Sequence, residues 1–170
     1  MRVKLKPHPD TPSGAVGAVE VEAGLESTGR LRLRYLVSGE VAALAFPKAA
    51  APERTDGLWK HTCFEAFVVR GGGYREFNFS PSTGWAAYDF DAYRAGMCNA
   101  NVPAPRIVGK RDSMQYELHV TCDLPDAGPW QVALAAVIEE KYGAMSYWAL
   151  AHPPGKPDFH HADGFVLELP

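Results

Sequence analysis

Apolar and polar residues alternate with a period of two along most of the chain, the spacing that sends successive side chains to opposite faces of a strand. Gly29-Arg30-Leu31-Arg32-Leu33-Arg34-Tyr35 sets basic against apolar residues, so one face meets water and the other packs. Over residues 114–120, Met114, Tyr116, Leu118 and Val120 share one face, while Gln115, Glu117 and His119 share the other. Two runs, 64–69 (FEAFVV) and 132–138 (VALAAVI), are apolar on both faces and predict central strands covered on both sides. In the second run, β-branched residues and the flanking Pro129 and Gly143 favour a strand over a short helix. Further strands are predicted at 16–22, 74–80, 85–90, 107–111, 145–151 and 164–169. They are separated by turn sequences such as Gly71-Gly72-Gly73, Pro81-Ser82-Thr83-Gly84, Asp126-Ala127-Gly128-Pro129 and Pro153-Pro154-Gly155. Residues 45–57 read as a long loop, and only 91–96 invite a helical turn. Many short strands with regular punctuation predict an all-β protein: an immunoglobulin-like or jelly-roll β-sandwich of two mainly antiparallel sheets, with residues 1–170 forming a single domain.

Composition agrees and narrows the partners. The 170 residues include 16 Gly and 14 Pro, a proportion natural to strands joined by turns. Hydrophobic residues make up 46% and charged residues 22%, as in ordinary globular chains. A formal charge of −3 supplies no basic excess to neutralise a phosphate backbone, so nucleic acid is not an expected partner. No run approaches the roughly 20 apolar residues needed to cross a bilayer, so a membrane is not expected either. Met1-Arg2-Val3-Lys4-Leu5-Lys6-Pro7 is charged without the apolar run of a secretory signal, which makes the expected location cytoplasmic. Cys63, Cys98 and Cys122 cannot all pair and form no Cys-x-x-Cys, as suits reduced thiols packed as small apolar groups. Cys63 two residues after His61 allows a nucleophile reading, but that spacing carries little weight by itself.

The candidate chemistry is clustered. Trp59, His61, Glu65, Tyr74, Glu76, Asn78, Trp85, Tyr88 and Asp89 fall in about a fifth of the chain, and Tyr147, Trp148, His152, Asp158, Phe159, His160, His161 and Asp163 gather near its end. Alternation puts Tyr74, Glu76, Asn78 and Ser80 on one face of their strand and Arg75, Phe77 and Phe79 on the other. Glu65 is an acid among apolar neighbours, so it must find donors or shift its pKa. An internal ion pair with Arg75 or Arg94 is one resolution; a carboxyl at the floor of a groove, hydrogen-bonding a ligand, is the other. Sugars suit such a mixture, since their C–H faces stack on aromatic rings and their hydroxyls need polar partners. A sandwich tryptophan also serves as core, and both readings apply to Trp59 and Trp85.

Leu58-Trp59-Lys60-His61-Thr62-Cys63-Phe64-Glu65-Ala66-Phe67-Val68 resembles a segment of carbohydrate-binding module family 9 and DOMON-like domains. So do Tyr74-Arg75-Glu76-Phe77-Asn78-Phe79-Ser80-Pro81 and the following Gly84-Trp85-Ala86-Ala87-Tyr88. Ser146-Tyr147-Trp148-Ala149-Leu150-Ala151-His152-Pro153, then Pro157-Asp158-Phe159-His160-His161, is similar to a bacterial DOMON-like group. The resemblance runs from about Leu58 to Leu169. It implies a β-sandwich that binds a carbohydrate or similar polar small molecule without transforming it. Trp59 would stack on the sugar and Glu65 would bond its hydroxyls, as in the sugar-binding branch. Asn78 and Trp85 would extend the site, and Phe159 and His161 would close it where that branch has a second tryptophan.

Neither a cofactor nor a metal is expected, and no residue is assigned a catalytic role. Haem, bound by some DOMON relatives, would draw on Met97, Met114 or Met145 with His119, His152 or His161, but no attachment motif is present. Asp158-x-His160-His161-x-Asp163 offers ligand-type residues without matching a zinc spacing, and a locally hydrogen-bonded turn explains it equally. The rival to a binding module is a small hydrolase or isomerase using Glu65 or Glu76 with His61 or His161 as acid and base. A protein-interaction scaffold would instead show a flat apolar patch.

Overall fold

The computed structural model describes residues 1–124 and 128–170, and the expected turn at 126–129 lies partly outside the described residues. Thirteen strands form among them: β1 (Arg2–Pro7), β2 (Val16–Leu25), β3 (Leu31–Gly39), β4 (Leu44–Ala45), β5 (Cys63–Arg70), β6 (Gly73–Phe79), β7 (Trp85–Phe90), β8 (Cys98–Asn99), β9 (Arg106–Arg111), β10 (Gln115–Cys122), β11 (Trp130–Glu140), β12 (Met145–Ala149) and β13 (Leu167–Leu169). Pairing is antiparallel throughout these strands, in the order β8-β7-β6-β5-β11-β12-β1-β2-β3-β10-β9, with β4 and β13 also on β11. The ladder curls into two layers, and β1 is the corner: Arg2 to Leu5 pair with β2, while Lys6 and Pro7 pair with β12. The architecture is thus the expected all-β sandwich. Among the described residues no helix is long and apolar enough to cross a membrane.

The alternating faces become the core. Leu31, Leu33, Tyr35 and Val37 of β3 and Leu118 and Val120 of β10 meet Phe64, Ala66 and Val68 of β5, Phe77 and Phe79 of β6, and Val132, Leu134 and Ala136 of β11. The Tyr35 hydroxyl crosses between the layers and donates to the backbone carbonyl of Glu65 at 2.7 Å, pinning β5 beside the future site. On the wet face of the other layer, Arg34 holds Glu117 (2.6 Å) and Glu22 (3.1 Å). Both doubly apolar runs are central strands. The outer side of β5, β6, β7 and β11 carries a second apolar cluster that includes Phe67, Tyr74, Tyr88, Phe90, Ala133 and Ala135.

Residues 91–96 correct one expectation. They form no helix; a bridge between Ala92 and Ala95 and a left-handed Arg94 (φ 51°) make a tight reversal instead. Single-turn 3-10 segments occur elsewhere, at Val41–Ala43, Leu58–Lys60 and Ala162–Gly164. The last of these replaces the start of the strand expected at 164–169. Strands β1, β4 and β8 were not predicted. The latter two have two residues each, and the basic and apolar residues of β1 pattern too briefly to announce a strand.

Candidate functional site

The outer face of the β5–β6–β7–β11 layer bears a cavity of about 520 Å³. Its floor follows from register. Glu65 on β5 lies between Asn78 of β6 and Ala135 of β11, and Glu76 of β6 lies between Phe67 and Tyr88. All these side chains point away from the sandwich core. Small residues on β11 and β12 (Ala133, Ala135, Ala149) leave the trough that the carboxyls occupy. Its walls come from outside the strands: Trp59 from the 3-10 turn before β5, Arg94 and Met97 from the reversal after β7, and Phe159 and His160 from the segment after β12.

Trp59 and Glu65 therefore border one recess. The indole is 42% exposed and meets Tyr88 edge-on at 6.4 Å, whereas Glu65 is 4% exposed. Among the described residues no donor bonds the Glu65 carboxyl. Burial pushes its pKa well above the ordinary 4.5, and the neighbouring Glu76 pushes it further. Glu76 is also raised by burial, opposed by the amide of Asn78 and the charge of Arg94. Asn78 is fully buried and donates Nδ2 to Glu76 at 2.7 Å, so it orients the acid from beneath the cavity. Phe159 lines the wall facing Tyr147, with ring centroids 6.1 Å apart.

Trp85 and His161 are placed elsewhere. Trp85 sits opposite Phe79, so it shares the inward face and is 7% exposed in the main core, with the Arg54 guanidinium 5.3 Å from its ring. His161 points out beside Asp163 and Tyr93, and His160 takes the cavity wall instead. The Tyr74 hydroxyl accepts from the Arg94 backbone N–H (3.2 Å) and shares a hydrogen bond with Nδ1 of His160 (2.7 Å). The other ring nitrogen, Nε2, faces the Glu76 carboxyl at 3.7 Å. Burial, with Arg94 nearby and Asp158 opposing, drives the imidazole down to about 4, so it is neutral near pH 7.

The Glu65–arginine pair, one of the two resolutions open to that acid, gives way to other partners. Arg75 points to the opposite face and holds Asp89 at 2.7 Å, while Arg94 is engaged by Asp158 at 2.8 Å. His61 bonds Glu139 at 2.8 Å rather than approaching Cys63, whose thiol is pushed up by burial and then by Glu65. The residues considered for haem are dispersed. Met97 is at the cavity, Met114 and His119 belong to the other layer, and His152 rests edge-on against His8. Among the described residues no three His, Cys, Asp or Glu side chains gather as a metal site. Glu76, Arg94, Tyr147 and His160 complete the wall and floor without having been assigned to the binding site. The shared alternation face of Glu76 and Asn78 pointed to the first of these, and the clustering near the end of the chain to Tyr147 and His160.

A β-sandwich with an aromatic-walled, acid-floored groove on its outer sheet face is the class that these features define. No family model and no curated protein matches the chain. Among solved structures, a proposed carbohydrate-binding protein from Bacteroides uniformis ATCC 8492 is similar in fold: TM-score 0.69 at 15% identity, covering 100% of this chain and 86% of that one.

Proposed function

We propose that the protein is a non-catalytic binding module for a carbohydrate or similar polar small molecule, held in the outer groove. The observation that carries this reading is the juxtaposition, around one cavity, of the half-open Trp59 indole with the buried Glu65 carboxyl, which no donor among the described residues bonds. A ring presents a face for C–H stacking, and a carboxyl without an internal partner gains hydrogen bonds only from something entering the recess. Glu76, held by Asn78, and His160, held by Tyr74, add polar groups with fixed orientation. The fold likeness to a proposed carbohydrate-binding protein supports the reading, as does the resemblance to the family 9 module and DOMON-like domains. Phe159 and Tyr147 take the position of the second aromatic wall.

The test is titration calorimetry against mono- and disaccharides with the native chain and Trp59→Ala. Binding by the native chain that is lost in a folded Trp59→Ala variant is expected; an unchanged affinity would remove the stacking role. The acid–base alternative rests on Glu65, Glu76 and His160 converging. Turnover of any bound sugar, abolished in Glu65→Gln while binding persists, would favour it over a module.

A further inference from the structure

The floor of the groove narrows what its occupant carries, an argument that rests on the binding reading above. Glu65 and Glu76 project from the same face of neighbouring strands, one diagonal step apart. Such diagonal neighbours lie roughly 7–8 Å apart at the backbone, within reach of a common group. Glu65 is 4% exposed, lines the cavity and has no internal donor among the described residues. Around the pair stand Trp59, Tyr88 and Phe90 on one side, and Tyr147 and Phe159 on the other. Carboxylates and aromatic faces share one preference, for positive charge.

The groups facing the pair supply little of it. Arg94 lines the cavity but is engaged by Asp158, which also accepts from Tyr93 at 2.5 Å. Arg54 lies against the Tyr88 ring at 5.8 Å and gives its donors to the backbone carbonyls of Ala87 and Ala100. Tyr88 itself donates to Asp56, a further acid. His160 is neutral, Cys63 keeps its proton, and the Tyr35 hydroxyl is spent on a backbone carbonyl. We propose that the ligand is cationic: a sugar or comparable small molecule bearing a protonated amine, its ammonium seated between Glu65 and Glu76 and its apolar face against Trp59. A neutral hydroxyl would bond one carboxyl and supply no charge to hold both of them ionised.

Protons must balance in this step. Burial and mutual repulsion disfavour two carboxylates, so the free floor holds a proton to higher pH than ordinary carboxyls do. An arriving ammonium keeps its own protons and favours both carboxylates, so the proton of the floor passes to solvent. Affinity then rises with pH, by up to about tenfold per unit for one proton released, until the free floor is itself ionised or the ammonium loses its own proton.

Calorimetry at pH 7 in two buffers of different ionisation heat tests this, using the β-1,4-linked glucosamine dimer, its N-acetylated counterpart, cellobiose and 1,5-diaminopentane. The glucosamine dimer is expected to bind about tenfold or more tightly than either neutral dimer, releasing a proton. Glu65→Gln and Glu76→Gln, each checked for folding by circular dichroism, should each weaken it by about tenfold or more and abolish the release. A neutral dimer binding as well as the amine overturns the ammonium proposal and leaves the sugar reading intact. Diaminopentane binding without any sugar supports the ammonium and removes the carbohydrate. Binding of none of the four, or glutamine variants that bind the amine as tightly as the native chain, overturns the proposal.

Discussion

Two tryptophans show how the same residue type serves opposite ends. Trp59 stands on a single 3-10 turn at the cavity rim, whereas Trp85 fills the core across from Phe79. Trp59→Ala is therefore expected to stay within about 0.5 kcal/mol of the native stability, and Trp85→Ala to lose about 3–5 kcal/mol, as measured by urea unfolding. Equal losses at both sites would contradict the placement. Glu65 carries a pH signature. Its folded pKa lies above the ordinary 4.5, so above that pH the native state holds more protons than the unfolded chain. The stability associated with the protonated acid is complete below about pH 4.5 and is lost as pH rises through the folded value. Glu65→Gln fixes a neutral side chain in the acid's place. Its unfolding free energy should fall less steeply above about pH 4.5 than that of the native chain, with Glu76 keeping part of the slope. Identical slopes would mean that Glu65 is ionised in the fold. The sequence announced an acid needing a partner. It could not show that Arg75 serves Asp89, because cross-strand pairing set that choice.

Among the elements, β5 and β6 make the site and register is what they contribute. Alternation told that Tyr74, Glu76 and Asn78 share a face; pairing of Glu65 with Asn78 joined that face to β5 and set the two acids side by side. Elements of two or three residues were not legible, since β4, β8 and the 3-10 turns are too brief for any period. At 159–161 the chain is not a strand, and His160 rather than His161 lines the cavity. The end of β3 meets β2 at an irregularity between Val16 and Ala18, and Gly39 there adopts φ 136°. A Cβ at Gly39 would collide with the Ala15 carbonyl oxygen and come within 2.7 Å of the Gly17 nitrogen. Gly39→Ala is expected to cost roughly 1–3 kcal/mol, read from the shift in urea midpoint; a silent substitution would mean that this backbone tolerates a side chain.

The whole molecule works as a scaffold and a cover. One ladder curls into both layers through β1, and the main core draws on each. We expect the chain to unfold as one domain, with coincident near-UV and far-UV transitions on heating; two separated transitions would divide it. Composition, hydrophobic period and turn residues determined on their own that strands would form, which side chains would lie together along each one, and that an acid near residue 60 sat among apolar neighbours. Periodicity fixes relative phase only. The facing of each strand, the sinking of Trp85 and the gathering of Arg94, Phe159 and His160 over Glu65 and Glu76 came from the tertiary structure, because each depends on pairings and loop placements between residues far apart in the chain.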